Sequence, residues 1–112
     1  MTQAKPPNQT ENILYNGIAS QYYSNMNSKH RKTLELLFRN PIQADILWAD
    51  IESLLAALGA ELSEGRGSRL RVKLNGIRAV FHRPHSRKNT DKGAVNSLRR
   101  FLENAEVHYD GI

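Results

Sequence analysis

Two histidines and a cluster of cations are the residues of this sequence best suited to chemistry. His82 and His85 stand three positions apart in a segment rich in Lys and Arg. An imidazole with a pKa of about 6.5 can accept and return a proton near neutral pH, and a fixed cation can stabilise negative charge on an oxygen. These residue types fit acid–base chemistry on an anionic substrate. The alternative for His82 is a polar residue at a strand end on a solvated face.

The positive charge is concentrated in one part of the chain. Residues 65–100 contain eleven Lys or Arg and one acid, Asp91, so this segment carries a net charge of +10 although the whole chain carries only +5. A polyanion is the expected partner, because Lys and Arg gain affinity by releasing counterions from phosphates. The alternative is a solubilising surface, but such a surface normally mixes its signs.

Composition limits the class of protein. A chain of 112 residues is long enough for one domain. It has no cysteine and its four histidines lack a spacing such as H-x-x-x-H, so we expect no disulfide, no metal site and no cofactor. The sequence has neither a long apolar span nor the pattern of a signal peptide, which predicts a soluble, cytoplasmic protein without a membrane partner.

The chain divides into a tail and a domain. Residues 1–26 are rich in Asn, Gln, Ser and Pro and show no sustained period, which predicts a flexible N-terminal tail, and Met26 is an alternative start to Met1. Residues 27–112 form the predicted domain. Its first helix is expected from an N-cap at Ser28 to about Arg39, before Pro41.

Two further helices are indicated by apolar spacing. One should run from Asp45 or Trp48 to Leu58 and end at Gly59, which favours a left-handed cap. The last should begin at a cap, either Thr90 or Asp91. Its expected apolar face contains Val95, Leu98, Phe101, Leu102 and Ala105.

The region between these helices alternates apolar and polar residues, as strands do. Strands are predicted at residues 60–64, 68–74 and 77–82, and the Asn75-Gly76 dipeptide between the last two is a strong signal for a two-residue hairpin. A two-residue turn fixes the register. The expected pairs on the apolar face are Leu74 with Ile77, Val72 with Ala79 and Leu70 with Phe81. Those on the opposite face are Lys73 with Arg78, Arg71 with Val80 and Arg69 with His82.

These elements predict an α+β, two-layer domain: a three-stranded antiparallel sheet packed against helices on one face, with an extra helix at the N-terminus. The helices should leave the basic face of the sheet open. Trp48 is expected in the core or at the helix entry, and His30 and His108 on the surface.

The order of several short motifs resembles that of HicA toxins over about residues 45–106. The matching stretches are LLAALGAELSEGRGSRLRV, the hairpin, and HRPHSRKNTDKGAVNSLRRFLENA. They contain the elements Gly67-Ser68-Arg69, Pro84-His85 and Lys92-Gly93, in the order in which the family places its Gly-Ser-His, Pro-His and Lys-Gly elements. The resemblance implies a fold like a double-stranded-RNA-binding domain (dsRBD-like), metal-independent cleavage of mRNA, and a HicB-like antitoxin protein as partner.

One departure from the family pattern affects the active site. The family's usual catalytic histidine belongs to the Gly-Ser-His element, and Arg69 occupies that position here. The predicted register places His82 across from Arg69, and His85 matches the family's second histidine. We therefore predict catalytic roles for His85, His82 and Arg69. The residues predicted to bind RNA are Arg66, Ser68, Arg71, Lys73, Arg78, Arg83, Arg87, Lys88 and Lys92.

Two other functions fit the same sequence. The first is a non-catalytic RNA-binding or antitoxin-binding module of the same fold. The second is a DNA-binding accessory protein, which is disfavoured because no helix-turn-helix pattern with a basic recognition helix is present.

Overall fold

The computed structural model describes residues 26–84 and 88–109. This part of the chain has three helices and one sheet, in the order α1, α2, β1, β2, β3, α3. Their bounds are α1 Ser28–Phe38, α2 Trp48–Ala57, β1 Glu61–Glu64, β2 Arg69–Leu74, β3 Ile77–His82 and α3 Lys92–Asn104. The predicted α+β class and the extra N-terminal helix are confirmed.

The start of α1 and the end of α2 follow from local chemistry, with one correction. The N-cap of α1 is Asn27, whose Oδ1 accepts a hydrogen bond from the His30 backbone N–H at 2.8 Å, so the prediction of Ser28 as the cap was wrong by one position. Asn caps a helix as well as Ser does, and only the backbone path selects between adjacent residues. Gly59, just after α2, has a φ of +92°, as the predicted left-handed cap requires.

The sheet has the order β1-β2-β3 and is antiparallel throughout. All six predicted pairs of the β2–β3 hairpin are present, from Leu74 with Ile77 to Arg69 with His82. Asn75 and Gly76 adopt φ values of 51° and 83°, which are the positive angles of a type I′ turn. The register predicted from this turn is therefore confirmed.

One face of the sheet is buried beneath the helices. Leu70, Val72 and Leu74 are at most 3% exposed, and the Phe81 ring packs edge-on against Phe101 of α3 with 5.7 Å between centroids. Asp91 caps α3 by accepting a hydrogen bond from the Ala94 N–H at 2.7 Å. In the described part of the chain, the helices pack on one side of the sheet only, and Arg69 and Arg71 on the opposite side are exposed.

Met26 lies at the predicted boundary between tail and domain. It is only 4% exposed and packs in the hydrophobic core. The rest of the predicted tail, residues 1–25, lies outside the described residues. No helix within residues 26–84 and 88–109 has the length and apolar character needed to cross a membrane.

Candidate nucleic-acid interface

The open face of the sheet is formed by alternate residues of the hairpin, because side chains along a strand alternate between its two faces. Strand β2 contributes Arg69, Arg71 and Lys73, and β3 contributes Arg78, Val80 and His82. Four of these residues, Arg69, Arg71, Arg78 and His82, are exposed, and Lys73 is half-buried. Val80 is an apolar side chain among cations and is 53% exposed. We call these six residues the basic face.

Arg69 and His82 are cross-strand partners at one end of the basic face. In the next pair along, the Arg83 N–H donates to the Ser68 carbonyl at 2.9 Å. Because bonded and non-bonded pairs alternate in an antiparallel ladder, Arg69 and His82 form a non-bonded pair, the type in which side chains lie closest, with Cβ atoms about 4.5–5.5 Å apart. The two side chains therefore project from adjacent positions on the exposed face, a spacing that suits contact with one phosphodiester.

Gly65 is the neighbour of Arg69 on the side opposite His82, and its lack of a side chain leaves space for Arg69. Its N–H donates to the Arg69 carbonyl at 2.9 Å, and a Cβ added at Gly65 would lie 3.1 Å from the Arg69 Cβ. Any side chain here would push against Arg69.

The middle of the basic face adjoins a cleft of about 520 Å³. Arg71, Lys73 and Arg78 line it together with Ser63 of β1. Three cations and one hydroxyl therefore line the same cleft, and such donors are the groups that contact phosphate oxygens. Strand β1 also brings one acid, Glu61, opposite Lys73, so the positive charge is strongest on β2 and β3.

Arg83, a predicted RNA-binding residue, binds carboxylates within the domain. Its Nε donates to Glu52 of α2 at 2.6 Å, and its two terminal nitrogens donate to Glu64 of β1 at 2.7 and 2.8 Å. The hydrogen bond from Arg83 lowers the pKa of Glu64, and the bonds to Glu64 and Glu52 raise the pKa of Arg83. The Trp48 indole N–H also donates to Glu52. Arg83 therefore ties the end of β3, next to His82, to α2 and β1.

The chain is anchored again where it returns after residues 85–87. The Trp48 N–H donates to the Lys88 carbonyl at 2.9 Å, and Leu47 forms a bridge with Asn89. The Thr90 hydroxyl, which is buried, donates to the Ile46 carbonyl at 2.9 Å. The two flanks of the segment containing His85 are thus held against the start of α2, whereas His85 and Arg87 themselves lie outside the described residues.

The other predicted site residues are distributed around the basic face. Arg66 and Ser68 lie in the β1–β2 connection at the same end as Arg69, whereas Lys88 and Lys92 lie before and at the start of α3. His30 is on α1 and His108 follows α3, which leaves His82 as the one histidine on the basic face among the described residues. Within residues 26–84 and 88–109 no group of His, Asp and Glu could hold a metal ion.

The architecture and the site define a class: a small α+β, dsRBD-like domain with an open cationic sheet face. A family model described as the HicA toxin of bacterial toxin-antitoxin matches residues 48–107, more than half of the chain. The chain therefore belongs to the HicA toxin family, and the match covers every described element except α1. Neither the curated proteins nor the solved structures give a match.

Proposed function

We propose that this toxin-family protein binds and cleaves mRNA in the cytoplasm, and that a HicB-like antitoxin neutralises it by covering the basic face. The observation that carries the proposal is the pairing of His82 with Arg69 on an open cationic surface. Family membership supports the role of toxin, and the pairing supports the chemistry.

Binding follows from the charge on the face. Arg71, Lys73 and Arg78 neutralise backbone phosphates, which orients the RNA without reading its sequence. Exposed Val80 offers an apolar surface between these cations. Arg69, at the end of the same row, meets the phosphate at which cleavage occurs.

In the proposed cleavage, the phosphoryl group is transferred from the 5′-oxygen of one nucleotide to the 2′-hydroxyl of the neighbouring ribose. The His82 imidazole removes the proton of the 2′-hydroxyl, the 2′-oxygen attacks phosphorus, and the bond to the 5′-oxygen breaks. The leaving 5′-oxygen takes a proton from an imidazolium, which leaves a 2′,3′-cyclic phosphate and a free 5′-hydroxyl. Arg69 stabilises the charge that grows on the non-bridging oxygens. This route uses no metal ion, and His85 is the second candidate for either proton transfer.

A second function is favoured by one specific observation. Arg69 occupies the position of the family's Gly-Ser-His histidine. A guanidinium stays protonated at any physiological pH and cannot replace an imidazole as a base. If His82 and His85 do not compensate, the chain is a non-catalytic module that binds RNA or the antitoxin through the same face.

Growth and cleavage measured together distinguish the two functions. Induced expression of a toxin should arrest growth, and co-expression of the protein encoded by the neighbouring gene should restore it. The purified chain should cleave RNA to products that end in cyclic phosphate. Growth arrest without cleavage would favour the non-catalytic module, and neither effect would contradict both functions.

A further inference from the structure

The outer edge of β3 is open along its length. Strand order β1-β2-β3 leaves this edge without a neighbouring strand in the described part of the chain. The bond from the Arg83 N–H to the Ser68 carbonyl fixes the alternation along the hairpin. It follows that the backbone N–H and C=O groups of Arg78, Val80 and His82 point away from β2.

A groove runs beside this edge, between β3 and α3. It has a volume of about 580 Å³. Apolar side chains line it on the β3 side, together with Phe101, whereas α3 and its cap also contribute the polar residues Asp91, Ser97, Arg100 and Asn104. The groove therefore combines unpaired backbone groups on one wall with apolar side chains on its floor. Extended peptides bind to sheets by adding a strand to such an edge, with alternate side chains entering pockets.

Edge strands are often protected from pairing by charged side chains, and Arg78 and His82 suit that purpose. Protection does not account for Val80, which places an apolar side chain at 53% exposure in the centre of the edge. Nor does it account for the groove behind the edge, in which Ile77, Ala79 and Phe81 form an apolar side. Both features match the alternating side chains of an added strand.

We propose that the β3 edge accepts an extended strand from a partner protein, with carboxylates opposite Arg78 and His82 and apolar side chains in the groove against α3. Charge complementarity identifies this occupant. A second copy of β3 contains no carboxylate to pair with Arg78 or His82, whereas an acidic strand from another protein supplies one for each. The proposal goes beyond RNA cleavage, because the edge can bind a strand whether or not His82 is catalytic.

The test uses the full chain, labelled with ¹⁵N, and the acetylated and amidated peptide Val-Glu-Val-Thr-Val-Glu-Val. This peptide reads the same in both directions, so either orientation places its carboxylates near Arg78 and His82. Binding should shift and protect the amides of Arg78, Val80 and His82. The amides of Ile77, Ala79 and Phe81, which bond to β2, should change much less. The control peptide, in which Lys replaces each Glu, should bind at least about tenfold more weakly.

Two substitutions of Val80 test whether the peptide binds to the backbone of the β3 edge rather than to the side chains of the basic face. Val80→Pro removes the central outward N–H and should weaken binding at least about tenfold, whereas Val80→Thr keeps that donor and should bind nearly as the parent chain does. If Val80→Pro proves unfolded by circular dichroism, Arg78→Glu replaces it and should reverse the preference between the two peptides.

Three results would overturn the proposal. The first is no binding of the acidic peptide to the folded chain, and the second is perturbation without alternation along β3. The third is self-association through β3, detected by sedimentation. RNA cleavage is assayed in parallel on the same variants. Neither its loss nor its survival tests whether the β3 edge binds a peptide.

Discussion

His82 faces Arg69 directly across the β2–β3 hairpin, at the end of the sheet where Gly65 makes room for the Arg69 side chain. A titratable imidazole is thereby placed beside a permanent cation on an exposed surface. The proposed cleavage of RNA depends on this pairing.

RNA binding should weaken steeply as salt increases and should not require a divalent metal. For single-stranded RNA, log K should fall with log salt by about 0.7 per phosphate contact, because each contact releases counterions. Arg71→Ala and Lys73→Ala should each reduce the slope by about that amount, whereas Lys32→Ala, on α1 away from the sheet, should leave it unchanged. Filter binding or fluorescence anisotropy would measure the slopes, and affinity that stays flat with salt would contradict an electrostatic interface.

An antitoxin bound as proposed should protect the hairpin from solvent. In a co-expressed complex, hydrogen exchange should slow across residues 69–82, because the partner covers the basic face and must exclude RNA from it. Mass spectrometry of the free and bound chains would locate the protection. Protection confined to residues 28–58 would instead place the antitoxin on α1 and α2.

The ion pair between Glu64 and Arg83 should make stability depend on pH. The hydrogen bond from Arg83 holds the folded-state pKa of Glu64 below its ordinary value of 4.5. A lowered folded pKa means that the ion pair stabilises the domain above pH 4.5 and that this contribution is lost as the pH falls through the folded pKa. Glu64→Gln should therefore lower the melting temperature at pH 7, and the difference from the parent should shrink in acid.

The matched control for this prediction is Glu61→Gln, on the same strand. Glu61 has no ion pair in the part of the chain that the structure describes. Its substitution should change the melting temperature less at pH 7. Equal effects of the two substitutions at every pH would show that the contact with Arg83 adds nothing to stability.

Arg99 of α3 should stabilise the end of α1. Its guanidinium donates to the Leu37 carbonyl at 2.7 Å and to the Arg39 carbonyl at 2.6 Å, which satisfies acceptors that a helix end leaves free. Arg99→Ala should cost roughly 1–3 kcal/mol in urea unfolding, and the exposed neighbour Arg100→Ala should cost less than about 0.5 kcal/mol. Equal losses of unfolding free energy in the two variants would show that the hydrogen bonds of Arg99 do not stabilise the end of α1.

The hairpin could be predicted from sequence because its information is local. Asn75-Gly76 fixes the turn, and alternation then assigns each side chain to a face. The basic face, including the pairing of Arg69 with His82, followed from these two facts. Asn27 was missed as the α1 cap because it is adjacent to Ser28, an equally good capping residue.

The role of Arg83 could not be predicted because its partners are distant in the chain. Glu52 and Glu64 stand 31 and 19 residues before it and belong to two different elements. From the sequence alone, Arg83 cannot be distinguished from the other cations. In the folded domain, it lies beside two carboxylates and forms ion pairs with them. Gly65 was missed for a similar reason, since the need for space beside Arg69 arises only after the strands pair.

Restoring the Gly-Ser-His element of the family tests whether the catalytic histidine has moved from position 69 to His82. Arg69→His recreates Gly-Ser-His but removes the cation beside His82. If His82 is the base, this substitution should leave cleavage similar or lower, and Arg69→Ala should reduce it mildly by removing charge stabilisation. Cleavage that appears only in Arg69→His would identify the natural chain as the non-catalytic module.

Single-turnover cleavage of a short RNA in the presence of EDTA tests the central claim most directly. His82→Ala should lower the rate by about 10²- to 10⁴-fold, the usual contribution of one general acid or base, while the domain stays folded because His82 is exposed. His30→Ala, on α1, is the matched control and should cleave as the parent does. His85→Ala, alone and combined with His82→Ala, determines whether His85 also contributes to proton transfer. Full activity of the variant that lacks both His82 and His85 would contradict the assignment.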